Sequence, residues 1–269
     1  MKPNRYFTRK AWALSAASLL AGAISHGAIA GPYAPAAGQP GSTAISMNDP
    51  LITSWATGYL DYVPGDNVDA AWQTPERALG PAQGTSGDVV SLGTGGSIVL
   101  TFADPIANGA GYDFAVFENS FSDTFLELAR VEVSSDGVNF FRFEAFSLTP
   151  APVGPFGTLD PTDIDGLAGK YRQGWGTPFD LDVFSGSSGI DVNNVSYVRL
   201  LDVVGDGSMY DSNGNPIYDP YLTTGSAGFD LDAIGVLNSA STVVPVPASI
   251  WLFASGLLGI LSLRRRTPR

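Results

Sequence analysis

The chain has 269 residues, with 26 Asp+Glu against 14 Lys+Arg, one His and no Cys. That length suits one large β domain or two ordinary ones. The absence of Cys excludes disulfides, thiolate nucleophiles and Cys-based zinc or iron–sulfur centres. Eight of the bases sit at the two ends, so the stretch from Asp49 to Asp232 holds six bases against all 26 acids, a surplus of 20 negative charges. A body of that sign repels nucleic acid and anionic lipid, which excludes DNA and RNA as partners. It attracts cations, and without them self-repulsion strains the compact state.

In chain order, residues 1–30 read as a signal peptide for Sec export. Lys2, Arg5, Arg9 and Lys10 precede the apolar run Ala11–Ile24, and Ala28-Ile29-Ala30 supplies a small-x-small cleavage pattern before Gly31. The run is shorter than the roughly 20 apolar residues a membrane span needs. Cleavage would remove His26, the only histidine. The mature chain would then lack the residues for Ser-His-Asp or Cys-His catalysis and for imidazole ligation.

Residues 31–242 are expected to form one all-β domain, a single antiparallel β-sandwich of jelly-roll type behind an extended lead-in at 31–50. No window sustains a helical period. Short runs of Val, Ile, Phe and Leu bounded by Gly, Asp, Asn and Pro predict strands at Ser97–Phe102, Asp113–Glu118, Leu126–Ser134, Asn139–Phe146, Val195–Val204 and Phe229–Val236. Alternation in Val131-Glu132-Val133-Ser134 and from Phe229 to Ile234 implies one buried and one wet face. Ser135-Asp136-Gly137 predicts a hairpin turn, because Asp-Gly tolerates positive φ. One helical turn is expected at Ile164–Arg172. Residues 147–194 and 205–228 read as long Gly/Pro/Asp-rich loops.

The densest set of oxygen donors is Asp202, Asp206, Asp211, Asn213, Asn215 and Asp219, interleaved with glycine. Calcium takes six to eight oxygens in flexible geometry, and alternate Asp and Asn side chains can face one side of a turn. The segment lacks the last-position Glu and flanking helices of an EF-hand, and the same residues also make Asx-turns. A second set is Glu118 with Asn119 at a strand end and Asp230 with Asp232 on another strand. Two acids on one face repel each other unless a cation or a base such as Arg199 stands between them. Asp160, Asp163, Asp165, Asp180 and Asp182 form weaker acid runs, and Asp61, Asp66 and Asp69 weaker ones still. Tyr171, Trp175, Tyr210, Tyr218 and Tyr221 sit in the loops, where aromatics could stack on sugars or pack on the core. Paired carboxylates could also hydrolyse glycosides without histidine.

The far end, residues 243–269, runs Val244-Pro245-Val246-Pro247, then an apolar stretch from Ile250 to Leu263, then Arg264-Arg265-Arg266. A helix of that length spans about 21 Å, and the arginines would stay cytoplasmic. This order closely resembles the PEP-CTERM sorting signal, with Val246 standing where that family usually has Glu. The resemblance implies an exosortase-type membrane transpeptidase as partner, transient residence in the inner membrane, and delivery to the surface or exopolysaccharide matrix of a Gram-negative bacterium.

The body, from about residue 60 to 238, is similar to discoidin-like and galactose-binding-like jelly rolls. The matching stretches are Ala78-Leu79-Gly80-Pro81, Val90–Gly93, Gly95–Phe102, Asp113–Asn119, Val131–Gly137, Gly174-Trp175-Gly176 and Gly228–Ile234. That likeness implies an adhesive sandwich carrying structural Ca²⁺ at its loops. The expected protein is therefore a non-enzymatic, calcium-stabilised surface module. The rivals are a polysaccharide-active hydrolase and a lectin-like module.

Overall fold

The computed structural model describes residues 30–240. All but the last residue of the expected signal peptide, residues 1–30, and the whole sorting tail, residues 243–269, lie outside the described residues. The strands in chain order are β1 (Ile45–Ser46), β2 (Ser54–Trp55), β3 (Gly58–Val63), β4 (Val90–Ser91) and β5 (Ser97–Ile106). Then come β6 (Phe114–Glu118), β7 (Ala129–Ser134), β8 (Phe141–Arg142), β9 (Phe146–Ser147) and β10 (Ile164–Asp165). The last five are β11 (Trp175–Phe179), β12 (Val195–Asp202), β13 (Asp206–Tyr210), β14 (Pro216–Tyr218) and β15 (Asp230–Val236).

Two antiparallel sheets face each other. One runs β1-β11-β6-β15-β2 with β4 beside β15, and the other runs β3-β5-β12-β7-β8. Side chains two residues apart share a face, so Ile98 and Leu100, Val131 and Val133, and Val198 and Leu200 all enter the space between the sheets. They meet Phe114, Val116, Leu231, Ile234 and Val236 there. The all-β sandwich expected from the sequence is what forms.

The outer face of the first sheet is covered as well. Ala115, Phe117 and Ala233 pack against Ile45 and Met47 from the lead-in and against Ile52 and Trp55 at and just before β2. Burial on both faces explains why β6 and β15 read as nearly continuous apolar runs. Between β7 and β8 the Asp136 carboxylate accepts from the amides of Val138 and Asn139, both at 2.8 Å, which closes the expected hairpin.

The helical turn expected at Ile164–Arg172 is not formed. A 3₁₀ turn at Pro161–Asp163 comes first, capped by Asp160 accepting from the Thr162 amide, and Ile164–Asp165 then pairs with β9. Ala168 bridges to Ala129 instead of closing a helical bond. Gly166 and Gly169 within the stretch make a helix costly. The two loop regions also carry order. The first contains β11, between β1 and β6, and the second contains the β13–β14 hairpin. Together they cover a smaller core of Leu126, Leu128, Leu159, Ile164, Leu167, Val203 and Ile217 at one end of the sandwich.

Candidate functional site

The loop from Asp202 to Asp219 does not wrap around a centre. Asp206–Tyr210 pairs with Pro216–Tyr218 as a hairpin, and Asp211 stands at its turn. The Asp211 carboxylate accepts from the amides of Ser147, Asn213 and Asn215 and from the side chain of Asn215, at 2.7–3.1 Å. Burial pushes its pKa up, but these donors outweigh that and hold it below the ordinary value. Asp206 accepts from the Ser208 amide at 2.8 Å. The hairpin residues are thus engaged in turn chemistry of the Asx kind.

Asp202 and Asp219 separate from them and go inside. Asp202 accepts from the amides of Gly95 at 2.8 Å and Phe229 at 2.7 Å, and Asp219 from the amide of Leu128 at 2.9 Å. Burial raises the Asp202 pKa to about 7 despite those donors, and raises that of Asp219 well above the usual range, with Asp202 adding to it.

The second set converges differently. β6 ends in Glu118, whose Oε2 accepts from the Ser120 amide at 2.7 Å. Glu118 lies opposite Leu231 in the ladder, and the register then shifts between Leu231 and Ala233. That irregularity parts the two aspartates of β15. Asp232 accepts from the amides of Gln83 at 2.9 Å and Gly84 at 2.8 Å, fixing the loop before β4. Asp230 faces Asn119, whose side-chain amide donates to its Oδ2 at 3.2 Å.

A third acid joins them that sequence reasoning missed. Leu126 and Leu128 both enter the smaller core, so alternation turns Glu127 between them the other way, onto the cavity it shares with Asp230. Glu118, Glu127 and Asp230 are 1%, 5% and 2% exposed. Glu118 Oε1, Glu127 Oε1 and Asp230 Oδ1 have no hydrogen-bond partner. Burial lifts all three carboxyls. Asp230 rises to about 7, while Glu118 and Glu127 go well above their ordinary value, with Asp230 the leading neighbour raising each.

No base relieves them. Arg199, the one considered from the sequence, lies on β12 in the other sheet and pairs with Glu132, as does Arg142. Arg77 pairs with Asp88, Lys170 with Asp165 and Arg172 with Asp123, while Arg130 donates to the Tyr210 carbonyl. Among the described residues no ion pair reaches Glu118, Glu127 or Asp230. Among the described residues no group of three or more His, Cys, Asp or Glu is placed so that it could hold a metal ion. The three orphaned oxygens are of the hard type that a calcium-class cation accepts.

Beside the acids lies a cavity of about 250 Å³. Glu127, Asp230, Asn119 and Ser226 form part of its polar wall, and Phe121, Phe125, Phe156 and Leu222 its apolar one. The three rings form a row: Phe121 and Phe125 stack with centroids 4.8 Å apart, Phe125 and Phe156 at 6.5 Å. Phe156 is 87% exposed and Phe121 65%. None of the loop aromatics singled out from the sequence lines this cavity. Tyr171 is buried, its hydroxyl 2.8 Å from that of Thr43, which removes it from any exposed platform. Trp175 sits in β11 opposite Ser46, and Tyr218 in β14 opposite Asp206. Tyr221 follows β14, its amide donating to the Val153 carbonyl.

Compared with known proteins, residues 243–266 match the PEP-CTERM protein-sorting motif. The motif marks the chain for an exosortase, which implies export, a membrane-anchored step at the C-terminal end, and sorting to the cell surface. No curated protein matches the chain. Among the described residues no helix is long and apolar enough to cross a membrane.

Proposed function

We propose that the sorted body is a non-enzymatic adhesive β-sandwich of the galactose-binding-like kind, stabilised by Ca²⁺ held at Glu118, Glu127 and Asp230. It would work at the cell surface or in the exopolysaccharide matrix. The observation that supports this is the trio of buried, unpartnered carboxylate oxygens with no base beside them. Buried polar atoms are almost always satisfied, and an unpaired buried charge is costly. A divalent cation answers both demands at once, and the surplus negative charge of the body concentrates such ions around it.

The test is thermal melting of the full chain in EDTA and in millimolar Ca²⁺. Occupancy at ten times Kd adds about 1.4 kcal/mol, which for a domain of this size raises Tm by about 3–6 °C. Superimposed curves would end the proposal. Release of reducing sugar from matrix polysaccharide would instead point to a hydrolase using the same carboxylates.

A further inference from the structure

The first residue of the expected mature chain is held in place by the fold. The Gly31 nitrogen donates to Thr162 Oγ1 at 2.6 Å, and the Tyr33 amide donates to the Thr162 carbonyl at 3.0 Å. The Thr162 hydroxyl gives its own proton to Asp160 Oδ1 at 2.7 Å, so toward Gly31 it only accepts. The site is shaped around glycine. A Cβ on Gly31 would lie 2.2 Å from the Thr162 carbonyl oxygen and 2.3 Å from Asp163 Oδ1. Covalent geometry then places that carboxylate oxygen at most about 5 Å from the Gly31 nitrogen.

The charge there is unbalanced. Among the described residues the Asp163 carboxylate has no ion pair, and burial together with the Asp160 charge raises its pKa. Asp160 holds only the amide and hydroxyl of Thr162. Lys170, the nearest base in sequence, pairs with Asp165 instead. In an uncut chain the Gly31 nitrogen is an amide with one N–H and no charge. Hydrolysis of the Ala30–Gly31 bond by a leader peptidase consumes one water and leaves a carboxylate on Ala30. It turns the Gly31 nitrogen into an ammonium with three N–H donors. One donor stays on Thr162 Oγ1 and another is free for Asp163, and carboxylates at that range favour the charged amine.

We infer that Thr162, Asp160 and Asp163 form a receptor for the α-ammonium that leader cleavage creates at Gly31, so that export processing completes the fold. The captured end pins the lead-in where Tyr33 stacks on Phe146 with centroids 6.1 Å apart. From there the lead-in carries Ile45 and Met47 onto the first sheet. An uncut precursor has no charge at this position and lacks the pairing. The inference is independent of the cation reading and rests on the cleavage expected after Ala30.

The full chain is exported from a bacterial host with its own leader, and mass spectrometry reads the first residue, expected to be Gly31. Lys170 is then the only lysine, and it is 2% exposed, so acetylation reports on the α-amino group. At about pH 7.5, Asp163→Asn should be acetylated at Gly31 about fivefold faster than the parent, because its amine loses the pairing that keeps it protonated. The Asp163 side chain anchors no backbone group, so the variant keeps the fold. Acetylating the parent should lower its Tm by about 2–4 °C, and acetylating Asp163→Asn should lower it far less. A first residue other than Gly31 overturns the receptor. Equal acetylation rates in parent and variant overturn it too. So does a Tm change on acetylation that is the same in both, since Asp163 would then have no part in holding the amine.

Discussion

The side-chain amide of Asn119 donates to Oδ2 of Asp230 at 3.2 Å, and that bond determines which oxygen of the aspartate is left free. Asn119 follows directly on β6 and Asp230 opens β15, so adjacent strands bring an anchor and its acid together. Groups that orient a metal-binding carboxylate typically matter by about 10–100-fold in affinity. Asn119→Ala should therefore shift the Ca²⁺ concentration needed for stabilisation upward by about tenfold. Asp230→Asn should abolish the response while making the metal-free protein more stable, because it deletes a buried charge. An unchanged midpoint in Asn119→Ala would show that Asp230 is set by something else.

Glu132, on β7, shows what a compensated buried acid looks like in the same fold. It is 3% exposed, with Oε1 taking Arg142 at 2.7–2.8 Å and Oε2 taking Arg199. Arg199 also lies over the Phe140 ring at 3.9 Å. Glu132→Ala would leave two guanidinium groups without their acceptor on one sheet face. Both are between a third and half exposed, so water absorbs part of the loss. A destabilisation of about 2 kcal/mol in urea unfolding is expected, with no change in the Ca²⁺ response.

The strands that were legible in the sequence are those whose pattern is decided by burial. β5, β6, β7, β12 and β15 all lie within predicted runs or extend them. β3 and β11 escaped for different reasons. β3 is a largely solvent-facing edge strand with Asp61 at positive φ, so it shows no apolar alternation. β11 reads Trp-Gly-Thr-Pro-Phe, and both Gly and Pro argue against a strand. Yet β1 covers it only at Trp175 and Gly176, so Pro178 lies where no second neighbour demands its missing N–H. The site was half legible. Glu118 and Asn119 were marked by a strand end and Asp230 by sharing a strand face with Asp232, whereas Glu127 is a lone acid between two leucines. Only the alternation of that triplet could have exposed it. The Asp/Asn run at 206–215 forms turn hydrogen bonds, and its pattern alone is ambiguous because turn-forming and calcium-binding loops draw on the same residues.

Stability should depend on pH through the inward pair Asp202 and Asp219. Folding raises Asp202 to about 7, from an ordinary value near 4. Below about pH 4 both folded and unfolded chains hold the proton and burial of this group carries no ionic penalty. As pH climbs toward 7 the unfolded chain ionises freely while the folded one resists, so stability falls, by on the order of 4 kcal/mol for this group once pH passes 7. In EDTA, Tm should drop between about pH 5 and pH 7.5. Asp219→Asn keeps an acceptor for the Leu128 amide and removes one of the raised acids, so its slope should be shallower than the parent's. A parent Tm that rises across that interval would contradict the burial of these carboxyls.

Gly169 tests how tightly the Glu127 segment is held. Its φ is +86°, and a Cβ there would lie 1.9 Å from the Glu127 carbonyl oxygen and 3.1 Å from the Phe229 ring. Gly111 offers the comparison: its φ is +83°, and a Cβ there would meet nothing within 4 Å. Gly111→Ala thus carries only the cost of left-handed backbone, about 1–2 kcal/mol. Gly169→Ala carries that cost and also forces the backbone around Glu127 to move, because backbone oxygen cannot yield as a flexible side chain can. The expected excess over Gly111→Ala is about 2 kcal/mol in chemical denaturation, accompanied by a weaker Ca²⁺ response, since Glu127 shifts with its own main chain. Equal costs for the two substitutions would show that the segment just before β7 gives way easily, and that Glu127 is not rigidly presented to the cavity.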